Sequence, residues 1–146
     1  MNTVKEILRT KGPGVWSITP DATVYDALKL MADKNVGAVL VMDANHLVGI
    51  MSERDYARKI ILCGKSSKDT LVREIMTERV IYACPEQTAE ECMALMTDKR
   101  VRHLPVLEDL QVIGVISVGD VVKSIISEQG FTIEQLEHYI SGTVYR

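Results

Sequence analysis

The residues best suited to chemistry in this chain are two serine–aspartate pairs at one spacing. They are Gly49-Ile-Met-Ser52-Glu-Arg-Asp55 and, sixty-five places later, Gly114-Val-Ile-Ser117-Val-Gly-Asp120. Each serine follows an apolar run, so it stands where a strand ends and a helix opens. A helix N-terminus presents unpaired N–H groups and about half a positive charge, so a serine there can help hold a phosphate. An ionised aspartate one turn further in only accepts hydrogen bonds, which suits the paired hydroxyls of a ribose. The same spacing equally fits a capping box, in which serine and acid satisfy orphan backbone donors and nothing else. The glycine three places before each serine permits close approach of another backbone or a ligand at the strand's end.

The elements that must position these pairs are also written twice. Sliding the chain by 65 places lays residues 19–55 on 84–120 without a gap and with 11 identities in 37 positions, among them Pro20/Pro85, Thr23/Thr88, Asp33/Asp98 and Gly49/Gly114. Such a duplication fixes the architecture before any single element is considered. In the first copy Thr23 reads as a helix cap, and Val24, Ala27, Leu28, Met31 and Ala32 keep helical spacing; Ala89, Cys92, Met93 and Met96 answer in the second. Two short apolar runs follow in each copy and read as buried strands. A second helix then opens at Ser52 or Ser117, and short extended pieces, "VWSI" and "VIYA", precede each copy. The predicted fold is α/β, two tandem β-α-β-β-α repeats. Packed with pseudo-two-fold symmetry, they would leave two related clefts at their junction. Residues 1–64 and 72–128 form the repeats, 65–71 the linker and 129–146 a tail with a short amphipathic helix over Thr132–Ile140.

Composition narrows the function classes. The formal net charge of -3 offers no basic field for nucleic acid, and one Phe and one Trp give little to stack bases on. The longest apolar runs are far too short to span a bilayer, and no leader pattern opens the chain, so a cytoplasmic protein away from membranes is expected. Cys63, Cys84 and Cys92 show no C-x-x-C spacing, and His46, His103 and His138 stand far apart, so no metal site is expected. Cys92 falls on a helix face and reads as a buried, inert thiol. The Gly64-Lys65-Ser66 of the linker lacks the upstream glycine of a P-loop, since position 59 is Lys59. No grouped nucleophile and base suggest catalysis, and the aspartates repeat as binding elements do.

Taken together, the paired Gly-x-x-Ser-x-x-Asp motifs, "EIMT" ahead of the second copy and "RVRHLPV" resemble the cystathionine β-synthase (CBS) domains, which occur in tandem as the Bateman module. The resemblance covers nearly the whole chain. It implies intertwined β-α-β-β-α units, commonly paired again into a homodimer. It further implies non-catalytic binding of an adenosine-containing ligand such as AMP, ADP, ATP, NAD(H) or S-adenosylmethionine, and signalling to a regulated protein on another chain. A structural dimerisation scaffold with ligand-free clefts is the alternative.

Carried across by position, the resemblance makes Ser52 and Asp55 the phosphate-side hydroxyl and ribose-binding acid of one cleft, and Ser117 and Asp120 those of the other. The base would lie against the segment leading into the opposite copy: Ile75, Met76 and Thr77 at the first cleft, and Lys11, Gly12 and on to Val15 at the second. That second lead-in is three residues longer than its counterpart. Arg102 and His103 stand where the family often keeps phosphate-binding groups, whereas the first copy has Gly37 and Ala38 there, and Arg54 becomes Gly119 in the second. The clefts are therefore expected to differ, with Arg54, Arg102 and His103 gathered around phosphate at the Asp55 cleft. Most methionines are expected to fill the core, with Met76 the exception.

Overall fold

A computed structural model describes residues 2–12 and 14–130; the expected helix at Thr132–Ile140 lies outside them. The fold is mixed α/β. Its elements are α1 (Val4–Lys11), β1 (Ser17–Ile18), α2 (Val24–Lys34), β2 (Ala38–Asp43), β3 (His46–Ser52), α3 (Glu53–Tyr56) with a following π-helical turn (Ala57–Ile61), α4 (Val72–Ile75), α5 (Ala89–Lys99), β4 (His103–Glu108), β5 (Gln111–Ser117) and α6 (Val118–Glu128).

These elements gather into two compact units. One holds the described residues of 1–13, Ala83–Glu108 and those from 114 on; the other holds Gly14–Tyr82 with Asp109–Ile113. Each unit thus takes its lead-in helix from ahead of the other repeat: α1 belongs with α5 and α6, and α4 with α2, β2 and β3.

In the unit of Gly14–Tyr82, β1 runs parallel to β2 and β2 antiparallel to β3. Thr23 caps α2 by accepting from the Asp26 N–H at 3.1 Å, and Asn35 closes it in the left-handed conformation. The buried face of α2 is Val24, Ala27 and Met31; Leu28 flanks it, while Ala32 faces solvent. These side chains pack with Val39, Val41, Met51, Ile60, Val72 and Ile75. Burying a side chain of this size contributes about 1.5–3 kcal/mol, so α4, only four residues long, is held by Val72 and Ile75 rather than by helix propensity. The linker is tied down as well: Val24 N–H donates to Thr70 O, Tyr25 N–H to Ser67 O, and the buried Thr70 hydroxyl to Ser66 O.

The other unit repeats the plan with one loss. Thr88 and Glu91 form a capping box on α5, which buries Ala89, Cys92 and Met96 and ends at Arg100 in the left-handed conformation. β4 pairs with β5, but the expected strand "VIYA" shrinks to a single bridge, Ala83 to Val106. The reason is chemical. In the first repeat Leu40 N–H donates to Trp16 O and ties β1 to β2. The equivalent of Leu40 is Pro105, which has no N–H to donate. What survives is the pair of bonds from Ala83 N–H to Pro105 O and from Leu107 N–H to Ala83 O.

Both hairpins turn alike. Ala44 and Asn45, and sixty-five places on Asp109 and Leu110, all adopt positive φ between 49° and 67°, the signature of a two-residue type I′ turn.

Candidate functional site

Each Ser-x-x-Asp pair closes the end of a strand onto a helix. At the end of β3, the Ser52 N–H donates to Asp55 Oδ2 at 2.9 Å, the Ser52 hydroxyl to the same oxygen at 3.1 Å, and the Asp55 N–H back to Ser52 Oγ at 3.3 Å. At the end of β5, the Ser117 N–H donates to Asp120 Oδ2 at 2.8 Å and the Asp120 N–H to Ser117 Oγ at 3.2 Å. Both are full capping boxes. The helix start is also pinned to the strand that opens each hairpin: Glu53 N–H donates to Gly37 O, and Val118 N–H to Arg102 O. Gly37 and Ala38 therefore sit beside Ser52, and Arg102 and His103 beside Ser117.

The lead-in segments lie across the strand ends. Ile50 and Thr77 exchange backbone hydrogen bonds of 3.0 and 2.9 Å, laying residues 75–77 along β3. Met76 covers Gly49 so closely that a Cβ on the glycine would stand 2.7 Å from the methionine sulfur and 3.0 Å from Thr77 O. In the other unit Leu8 covers Gly114, where a Cβ would meet Leu8 Cδ2 at 2.5 Å. The two glycines are required by close approach, and Leu8 and Met76 are counterparts in "VKEIL" and "VREIM".

A lysine completes each arrangement. Lys11, on the last turn of α1, places Nζ 2.8 Å from Asp120 Oδ2 and 2.8 Å from Val115 O. Lys59, on the π-helical turn, places Nζ 3.2 Å from Asp55 Oδ1 and donates to Ile75 O at 2.7 Å. Burial pushes the Asp120 carboxyl up, but hydrogen bonds from Lys11 and Ser117 and the Lys11 charge outweigh it and hold the group below the usual carboxylate range. Beside Asp120, between α1 and α6, lies an open cavity of about 500 Å³ lined by Asn2, Glu6, Thr10, Lys11, Lys123 and Ser127 among others.

Within one unit the structure brings together Ser52, Arg54, Asp55, Gly37, Ala38, Ile75, Met76 and Thr77. Within the other it brings together Lys11, Gly12, Ser117, Asp120, Arg102 and His103. Val15 belongs with the first group's unit and is exposed. Arg54 and the pair Arg102–His103 thus stand in different units. Sequence reasoning missed Lys59 and Leu8 as members of the site. Lys59 was legible as an acid–base pair four residues apart with Asp55, and Leu8 as the counterpart of Met76.

Among the described residues no group of His, Cys, Asp and Glu could hold a metal, and no helix is long and apolar enough to cross a membrane. Two units built alike, each with a capped serine–aspartate strand end and a lead-in segment across it, define a tandem α/β repeat module. The chain belongs to the CBS domain family, whose profile matches residues 4–62 and 72–127. It is 44% identical over 149 residues to the CBS domain-containing protein CBSX3, mitochondrial, of Arabidopsis thaliana, covering 96% of this chain and 72% of that one. A solved protein with CBS domains from Burkholderia ambifaria MC40-6 is 52% identical with a TM-score of 0.85, over 90% of this chain and 99% of that one. The CBS domain pair of protein MJ0100, solved with 5′-methylthioadenosine and S-adenosyl-L-methionine, shares the fold at 23% identity and a TM-score of 0.78, over 88% and 98% of the two chains.

Proposed function

We propose that this CBS pair is a non-catalytic sensor that binds an adenosine-containing ligand, AMP, ADP, ATP, NAD(H) or S-adenosylmethionine, and signals its occupancy to a partner chain. The observation that carries the reading is the repetition, in two units, of a strand-end carboxylate facing a lead-in segment, with a cation at hand. Asp55 and Asp120 take the ribose hydroxyls, and Ser52 and Ser117 the phosphate side. Ile75, Met76 and Thr77 flank the base at one site, and Lys11 and Gly12 at the other. Arg54, Arg102 and His103 attend phosphate, with Gly37 and Ala38 leaving room where the first repeat lacks those basic groups. The adenosine derivatives bound by the MJ0100 pair support the ligand class. The ligand leaves unchanged, since the aspartates repeat as binding elements do, and the chain works as a homodimer whose packing reports occupancy. A ligand moves such an equilibrium only by binding its states unequally.

Thermal unfolding tests this reading with each ligand in turn, on the unmutated chain and on Asp55→Ala and Asp120→Ala. Ligand at about 100 times its Kd adds about 2.7 kcal/mol, a midpoint rise on the order of 5–10 °C for a chain this size. A rise that one or both aspartate variants remove is the expected result, with no turnover of labelled ATP or NAD alongside it. One observation favours a second reading: each serine–aspartate pair forms a full capping box, a structural role sufficient in itself. If no adenosine compound raises the midpoint, the pairs are helix caps and the chain is a dimerisation scaffold.

A further inference from the structure

Beyond the face it buries, α6 carries two unlike sides. Val121 is fully buried where α1 and α5 pack against the helix. Asp120, Lys123, Ser124 and Ser127 line the polar cavity shared with α1. Steps of four residues put Val118, Val122 and Ile126 together on the far side of the helix from that cavity. Val118 and Ile126 are only half-buried and Val122 is 37% exposed, so this apolar stripe is incompletely covered.

The way α6 ends points the chain at the stripe. The Gln129 N–H donates to Ile125 O and Ile126 O, and the Gly130 N–H to Ser127 O at 3.0 Å. Gly130 stands in the left-handed region with a φ of 82°. That is the ending in which the residue after the glycine packs back on the third-last residue of the helix, here Phe131 on Ile126. The sequence then opens a new helix at once. Phe131-Thr132-Ile133-Glu134-Gln135-Leu136 joins a Thr-x-x-Gln capping box to a hydrophobic staple of Phe131 with Leu136. Ile133, Leu136 and Ile140 keep helical spacing on one face. The connection, residues 129–132, is short enough to lay two helices antiparallel and side by side.

We infer that residues 131–140 fold back as a helix on α6 and cover the stripe of Val122 and Ile126. A rise of about 1.5 Å per residue in opposite directions sets Ile133 and Leu136 beside Ile126, and Leu136 and Ile140 beside Val122. The chemistry of the segment selects this side of α6. Against the cavity its three aliphatic side chains would meet Asp120, Lys123 and two serines, whereas against the stripe they meet their own kind. A helix this short is marginal alone in water, so its formation and its docking are one event. The cavity beside Asp120 stays open.

Hydrogen–deuterium exchange of the full chain tests the docking. Amides of residues 133–140 are expected to exchange at least about ten-fold more slowly than in an unstructured chain, at a rate that does not change on dilution. Leu136→Asp and Val122→Asp, on the two sides of the contact, are each expected to remove that protection, while the amides of α2 keep theirs. Thermal melts confirm that each variant is folded. Exchange of residues 133–140 at the unstructured rate in the unmutated chain overturns the inference. So does protection that survives Val122→Asp, which puts the segment elsewhere, or protection lost on dilution, which puts it on a second copy.

Discussion

Lys11 Nζ lies 2.8 Å from Asp120 Oδ2, and the two residues stand 109 places apart in the chain. The contact fastens the C-terminal end of α1 to the first turn of α6 within one unit. With side chains 38% and 25% exposed, it contributes about 0.5–1 kcal/mol after solvent screening. The folded state holds the Asp120 carboxyl below its usual range, so this stability is fully present above the unfolded pKa. It is lost as pH falls through the folded value. Urea unfolding of the unmutated chain and of Lys11→Met is therefore expected to differ at pH 7 and to converge in acid. A difference that persists in acid would show that Lys11 acts through packing instead.

Gly49→Ala is expected to destabilise by about 1–3 kcal/mol, because the new methyl must displace Met76 and crowds the Thr77 carbonyl. The three atoms nearest the new methyl in Gly114→Ala all belong to the Leu8 side chain and none to backbone, so that change should cost less. Denaturant midpoints of the two variants give the comparison directly; equal midpoints would mean that the lead-in beside Gly49 yields as easily as a leucine rotamer.

The capping boxes make a prediction independent of any ligand. Ser52→Ala and Ser117→Ala each leave a helix N–H without its side-chain acceptor and should cost about 0.5–2 kcal/mol in ligand-free protein. Ser117→Ala should be the more damaging to helicity, since α6 is 11 residues long and α3 only four. Circular dichroism with chemical denaturation measures both.

At the second hairpin the strained partner is Leu110, 84% exposed at a φ of 65°. Its side chain packs on little and its backbone sits in the left-handed region, which costs an L-residue about 1–2 kcal/mol. Leu110→Gly should stabilise by up to about 1 kcal/mol after the added freedom of the unfolded chain is set against it. A lower thermal midpoint would show that the leucine side chain has a packing role.

Burial and the neighbouring Glu91 push the Cys92 thiol up to about 11, while Cys63 and Cys84 are exposed. Since the thiolate is the reactive form, alkylation of folded protein at pH 8 should label two thiols, with the third reacting only on unfolding. Mass spectrometry of the labelled chain counts them.

Much of this molecule was fixed by its sequence, because a repeated pattern of apolar spacing and caps is local information. The shift of 65 places placed Thr23 with Thr88 and Ser52 with Ser117, and all four cap helices. The paired aspartates were legible for the same reason: their partners lie three residues away. What the tertiary structure alone decided is long-range. Nothing local in "VKEIL" says that Leu8 covers Gly114 or that Lys11 reaches Asp120, since those contacts cross more than a hundred residues. Nor does the pattern show that Pro105 costs the second sheet its third strand, because a missing N–H matters only once a neighbouring carbonyl waits for it. The π turn was hidden too: packing buries Ile60, exposes Ile61 beside it, and with that choice turns Lys59 onto Asp55.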